Sequence, residues 1–196
     1  MKALLYCTKG KVNLYRPFEY DCFEQDETSR FYLASNPLLK EDTLLNGKIV
    51  CEVEIDKVEA IYNFYSFVDN SRFYFTKTLN CKELLEKAQL NLKDMQDYLF
   101  EDVGYALHLK NLKVFDRSKE LSDYLMTSKK NKNWIGHKYT RLNKAPQNMC
   151  NVYDNQENYY VLISIQPQHL CKILNGEKTI EVRRKIISPL KNLMED

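Results

Sequence analysis

Apolar and polar positions alternate most cleanly over Lys48–Ile55, where Ile49, Cys51, Val53 and Ile55 oppose Lys48, Val50, Glu52 and Glu54. A period of two marks a half-buried strand. Lys2–Thr8 predicts a strand of another kind, since Leu4, Leu5, Tyr6 and Cys7 run too continuously to leave either face in water. Between these strands, Leu14–Leu44 reads as irregular, and Asn46-Gly47 supplies a turn. Beyond Ile55, Tyr62, Phe64, Tyr65, Phe67, Phe73, Tyr74 and Phe75 flank Asp69-Asn70-Ser71 and predict a hairpin. Strand character returns at Tyr105–Phe115, interrupted near Lys110-Asn111 and closing at Asp116, then at Met149–Tyr153 and Tyr160–Ile165.

The period lengthens to that of a helix in three places. Asn80 with Glu83 forms a capping-box pattern ahead of Leu84, Leu85 and Ala88. Asn91 then opens a helix whose inner residues are Leu92, Met95 and Leu99. A pair of short helices resembles a DNA reader, but the second carries Asp94 and Asp97, with Glu101 and Asp102 beyond, against Lys93. Those acids would repel phosphates, so the pair is expected to cover a sheet. The third helix starts at Pro167, presents Leu170, Ile173 and Leu174, and stops at Asn175-Gly176 before a strand over Thr179–Arg184 and then Pro189. No linker, repeat or low-complexity segment interrupts the chain, and residues 1–196 read as a single domain.

Composition adds little until charge is followed along the chain. Of the 196 residues 44% are hydrophobic, enough for a core, and the net charge is only +2. Acids cluster at Glu19, Asp21, Glu24, Asp26 and Glu27. From Tyr124 to Tyr153 there is no acid, while Lys129, Lys130, Lys132, Lys138, Arg141 and Lys144 all fall there. That asymmetry can steer a polyanion. The six cysteines are scattered without a Cys-x-x-Cys pair or histidines at ligand spacing, so no metal and no cofactor are expected. The apolar run Ala3–Cys7 is too short for a secretory core, and nothing approaches a membrane span. A reduced, cytoplasmic setting is expected, with the cysteines serving as small buried hydrophobes.

Chemistry concentrates at Gly176, Lys178, Glu181 and Arg183. Strand alternation places Glu181 and Arg183 on one face and Ile180 and Val182 on the other. One face can then pack while the other presents a carboxylate and a guanidinium to a cleft. Lys178 is out of phase with that pair and joins it only if the chain is still turning after Gly176, which glycine permits. The bland reading is a strand with solvated charges.

The whole segment Ile163–Arg184, with its Pro-started helix and Gly-x-Lys-x-x-Glu-x-Arg, resembles the signature of ASCH domains. The resemblance implies an α+β fold: a PUA-like β-barrel flanked by short helices, of a class associated with RNA and modified bases. In the family this motif opens the domain, whereas here it stands near the end. Ala3–Lys9 looks like the strand that ordinarily follows it, with Tyr6, Thr8 and Lys9 in a Tyr-x-Thr-Lys pattern. Asn46–Ile55 looks like the next strand and Tyr105–Phe115 like a closing one, so a circularly permuted barrel is expected. The resemblance thus assigns Lys178, Glu181, Arg183, Tyr6, Thr8 and Lys9 to ligand binding. The chain also resembles short ASCH proteins of bacteriophages and their hosts, with Lys144–Asn148 as a further match.

Three functions follow. The first is nucleic-acid or nucleotide binding, with RNA preferred to DNA. Lys129, Lys130, Lys132, Trp134, Lys138 and Arg141 interleave cations with aromatics in a way that suits a single strand, and Arg184 adds to them. The same stretch can equally be a solvated loop with Trp134 in the core. The second is a phage-type interaction protein that blocks a host defence or transcription factor, with Glu19–Glu27 as the segment to inspect. The third is the deacylation of N4-acylated cytidine known among small ASCH proteins, in which the motif lysine activates a threonine three residues on. Here that position holds Glu181, and a carboxylate beside Lys178 favours an ion pair over a nucleophile, so no catalytic residue is assigned.

Overall fold

The computed structural model describes residues 1–8, 47–68, 70–100, 103–127, 139–142 and 144–194. The chain is a mixed α+β protein, mostly strand with a few short helices. In order, its elements are β1 (Lys2–Cys7), β2 (Ile49–Ser66), β3 (Ser71–Phe75), α1 (Cys81–Ala88), α2 (Leu92–Leu99) and β4 (Gly104–Lys119). A 3₁₀ turn (Leu121–Asp123) leads to β5 (Leu125–Thr127), β6 (Tyr139–Arg141), β7 (Met149–Tyr153) and β8 (Tyr159–Ile165). The remaining elements are α3 (Pro167–Leu174), β9 (Ile180–Arg183) and α4 (Ser188–Lys191). They build two compact units, one of Met1, Glu54–Asn111 and Lys172–Asp196, the other of Lys2–Val53 and Leu112–Cys171.

In the first unit β9 lies antiparallel to β4, with Tyr105 opposite Arg183 and Ala106 opposite Val182, and β3 pairs antiparallel with β2. Helices α1 and α2 cover one sheet face. Leu84, Ala88, Met95 and Leu99 pack there against Ile61, Tyr74, Ala106, Ile180 and Val182. The helices start where their caps dictate. Asn80 accepts from Glu83 N and Glu83 returns a bond to the Asn80 backbone, while Asn91 accepts from Asp94 N. The helical pair is therefore a lid on a sheet, as its acidic surface led one to expect.

In the second unit the strand order is β6-β5-β7-β8-β1-β2. β1 runs parallel to β8, and β7 antiparallel to it. Ala3 to Cys7 are buried on both faces of the sheet, which is why this run is uniformly apolar, while β8 and β2 on either side take up its backbone bonds. Leu4, Tyr6, Ile49, Tyr124, Leu142, Val152, Tyr160 and Leu162 make this unit's core. Neither unit's run of strands closes on itself among the described residues.

The differences from expectation have local causes. β2 runs on from the predicted Lys48–Ile55 to Ser66, and β4 continues past Asp116 to Lys119. The interruption expected at Lys110-Asn111 is a single residue, Asn111, at φ 51°, which the strand absorbs. β5 and β6 fall within or beside the stretch read as a loop, and three residues apiece are too few to display a period. The expected irregular segment Leu14–Leu44 lies outside the described residues.

Glu59 is the buried carboxylate that ties β2 to its neighbours. It accepts from Thr78 N at 3.1 Å and Thr78 Oγ1 at 2.9 Å, and lies 2.7 Å from His108 Nε2 and 3.5 Å from Lys57 Nζ. Burial pushes its carboxyl upward, but the bonds from Thr78 and His108 and the Lys57 charge outweigh burial and hold it below 4.5. A carboxyl lowered on folding stabilises the protein fully above its unfolded value, and that stability is lost as pH falls through the folded one. The acid limb of a denaturation-midpoint profile should therefore steepen below pH 4.5, the unperturbed value. Glu59→Gln should be less stable at neutral pH and flatten that limb; an unchanged limb would refute the assignment.

Candidate functional site

Around the motif the backbone is still turning where β9 has not yet begun. Gly176 sits at φ +77°, a conformation that favours glycine, with nothing within 4 Å of where a Cβ would stand. Its requirement is therefore conformational and not one of space. Glu177 N and Lys178 N both donate to the Lys172 carbonyl at 3.0 Å, and Thr179 N donates to Lys87 O. Leu109 N then donates to Thr179 O, and the strand starts at Ile180.

This turn delivers Lys178 to the residues from which strand parity alone would separate it. Its ammonium donates to the Ala88 carbonyl at 2.7 Å and lies 3.3 Å from Glu181 Oε2. Arg183 Nη2 lies 2.9 Å from Glu181 Oε1. Ile180 and Val182 meanwhile enter the core beneath the helices, as alternation requires. Lys178, Glu181 and Arg183 are 3%, 7% and 8% exposed, so the triplet is an enclosed network and not a row of solvated charges. Burial holds the Lys178 ammonium below its usual range, against the opposing pull of Glu181.

The last turn of α1 supplies the partners that sequence reasoning missed. Ala88 O is one of the carbonyls a helix end leaves without an internal bond, and Lys172 Nζ donates to the next, Gln89 O, at 3.3 Å. Lysines there also complement the helix dipole. Main-chain carbonyls carry no residue signature; the available hint was Gln89-Leu90-Asn91, which ends one helix and caps the next.

The other predicted residues are distributed as follows. Arg184 is exposed, its guanidinium 4.9 Å over the Tyr98 ring. Tyr6 is buried in the core of the second unit, where burial pushes its phenol up. Thr8 N donates to Ile165 O at 2.9 Å. Arg141 is exposed on β6 opposite Leu125. Lys9, Lys129, Lys130, Lys132, Trp134 and Lys138 lie outside the described residues, as does Glu19–Glu27. Thr179, next to the motif lysine, is exposed.

Among the described residues no group of three or more His, Cys, Asp or Glu is placed to hold a metal. The thiols of Cys7 and Cys51 are pushed up to about 12, and that of Cys150 to about 11, all by burial. No helix among the described residues is long and apolar enough to cross a membrane. No family model, curated protein or solved structure matches the chain.

Proposed function

We propose that the chain binds nucleic acid as a permuted PUA-like domain of the ASCH type, with single-stranded RNA or a modified nucleotide as its ligand. The observation that carries this reading is the gathering of Lys178, Glu181 and Arg183 at 3.3 and 2.9 Å immediately after the Gly176 turn. Two cations meet one carboxylate there, a local excess of positive charge next to the exposed Arg184 and Lys185. In binding, a base edge takes over the bond that Glu181 and Arg183 make to each other, exchanging it for the acceptor and the planar donor fork they then present. On this reading the strands close into a barrel, residues 1–196 form one cytoplasmic domain, and Thr8 and Lys9 belong to its ligand-binding side, while Tyr6 packs in the core behind them. The cations from Lys129 to Arg141 hold phosphates.

The test is fluorescence anisotropy with single-stranded and duplex RNA and DNA at two salt concentrations. Replacing Lys129, Lys130 and Lys132 together should weaken every ligand alike. It should also lower the salt slope by about 0.7 per lost contact on a single strand. Because Arg183 is a counter-charge as well as a fork, Arg183→Lys is the informative variant: it keeps the charge and loses the planar geometry. It should cost about 1–3 kcal/mol for the preferred ligand and less for others. An equal loss for all ligands, or no binding by the wild type, would overturn the reading.

A further inference from the structure

We propose that the outer face of the β2–β3 hairpin is a stacking platform for the bases of a single strand, an inference that rests on the nucleic-acid reading and names the form of its ligand. Register sets Tyr62 opposite Phe75 and Phe64 opposite Phe73. Residues of the other parity, Ile61 and Tyr74, enter the core under the helices. These rings therefore point the opposite way. Tyr62 is 53% exposed, Phe64 62% and Phe75 37%. The Tyr62 and Phe75 rings lie 5.9 Å apart at 32°, so they form a broad surface and not isolated points. Tyr65 has the parity of Ile61, so its edge-on contact with Phe67 at 5.0 Å is not part of this surface.

The chemistry of that surface favours bases over an aliphatic partner. Two of the three cross-strand pairs on this face are aromatic on each side, the third being Ser66 with Ser71, and a base can stack on an aromatic ring whatever its identity. Successive outward residues on a strand are about 6.8 Å apart. Stacked bases of a duplex rise about 3.4 Å each, so neighbouring rings can engage only the bases of an extended strand. Charge points the same way. Among the described residues from 57 to 78 the cations are Lys57, Arg72 and Lys77. The acid in that span, Glu59, is 5% exposed and held by Thr78, His108 and Lys57. Asp69, at the turn, lies outside the described residues. Arg72, 5.5 Å over the Tyr65 ring, has the parity of Ile61 and Tyr74 and lies on the other face. The outward face thus offers rings for bases, and the exposed Lys77 follows Phe75 by two residues as a cation for phosphate.

The test uses the full chain with a labelled oligouridine, and with the same strand annealed to oligoadenosine. The single strand should bind more tightly than the duplex. Tyr62→Ala and Phe64→Ala should each raise its Kd about 5- to 150-fold, while Phe64→Trp should retain binding. Both positions are solvent-exposed, so thermal melts should stay near wild type. An oligonucleotide bearing iodouracil should crosslink within residues 61–75 on irradiation, a readout independent of the variants. Wild-type binding that is untouched by both alanine variants, with crosslinks elsewhere, would overturn the platform and leave the nucleic-acid reading standing. No binding of either probe by the wild type would remove both. If the alanine variants instead dissolve a self-associated species without changing oligonucleotide affinity, the face is a protein interface and the proposal fails.

Discussion

Replacing Glu181 by alanine should destabilise the protein by about 3–5 kcal/mol, the usual cost of leaving a buried ion pair with one partner. Glu181 is the sole carboxylate of the triplet, and both Lys178 and Arg183 lean on it, at 3.3 and 2.9 Å. All three are less than a tenth exposed, so water cannot take the carboxylate's place. The Ala88 carbonyl accepts from Lys178 but carries only a partial charge. Urea denaturation of Glu181→Ala beside Thr179→Ala, an exposed neighbour expected to shift by less than about 0.5 kcal/mol, makes the measurement. A cost under about 1 kcal/mol would mean that water reaches the triplet. The triple variant Lys178→Met, Glu181→Leu, Arg183→Met is the instructive companion. Removing every buried charge at once commonly restores stability to near the wild-type level. If the folded triple variant also loses nucleic-acid binding, the charges serve recognition, since stability no longer accounts for the loss.

The legible parts of this chain were those where one local rule decides the outcome. The alternation over Lys48–Ile55, the Asn80–Glu83 box and the Pro167-to-Gly176 helix each rest on residues within a turn or two of one another, and each stands where it was expected. Lys178 was legible for the same reason: a glycine at φ +77° lets the chain turn before the strand sets its parity. What the sequence did not disclose depends on distant partners. Nothing local says that Lys178 will meet a carbonyl ninety positions earlier, at Ala88. Nor does Glu59 reveal that Thr78 and His108 will converge on it, because β2, β4 and the β3–α1 loop must first assemble. The aromatic run of the hairpin shows the remaining limit. Its composition predicted a strand pair, but which rings face the core was fixed by register, which sends Tyr74 inward and Phe64 outward.

The helical lid makes a second sharp expectation, because Leu99 and Gly104 share one space. Leu99 is fully buried, and Leu99→Ala should cost about 2–5 kcal/mol through lost transfer energy and the cavity left behind. A Cβ on Gly104 would stand 2.8 and 2.9 Å from the two Leu99 methyls and 3.4 Å from Ile61 Cδ1. A methyl there must push the buried Leu99 side chain aside, and Gly104→Ala should cost about 1–3 kcal/mol by overpacking. Each defect is the other's remedy. With Leu99 cut back, the methyl that Gly104→Ala introduces fills part of the vacated volume, so the double variant should be more stable than the sum of the single losses by at least about 1 kcal/mol. The pair also bears on the motif, since Gly104 directly precedes Tyr105, which pairs with Arg183. Gly104→Ala should therefore loosen β9 as well as α2, seen as faster amide exchange at Val182 and Arg183, and Leu99→Ala should reverse part of that change in the double variant. Simple additivity of the two losses, with exchange in β9 unaltered, would show that the lid packs on β4 without bracing the strand that carries the charged triplet.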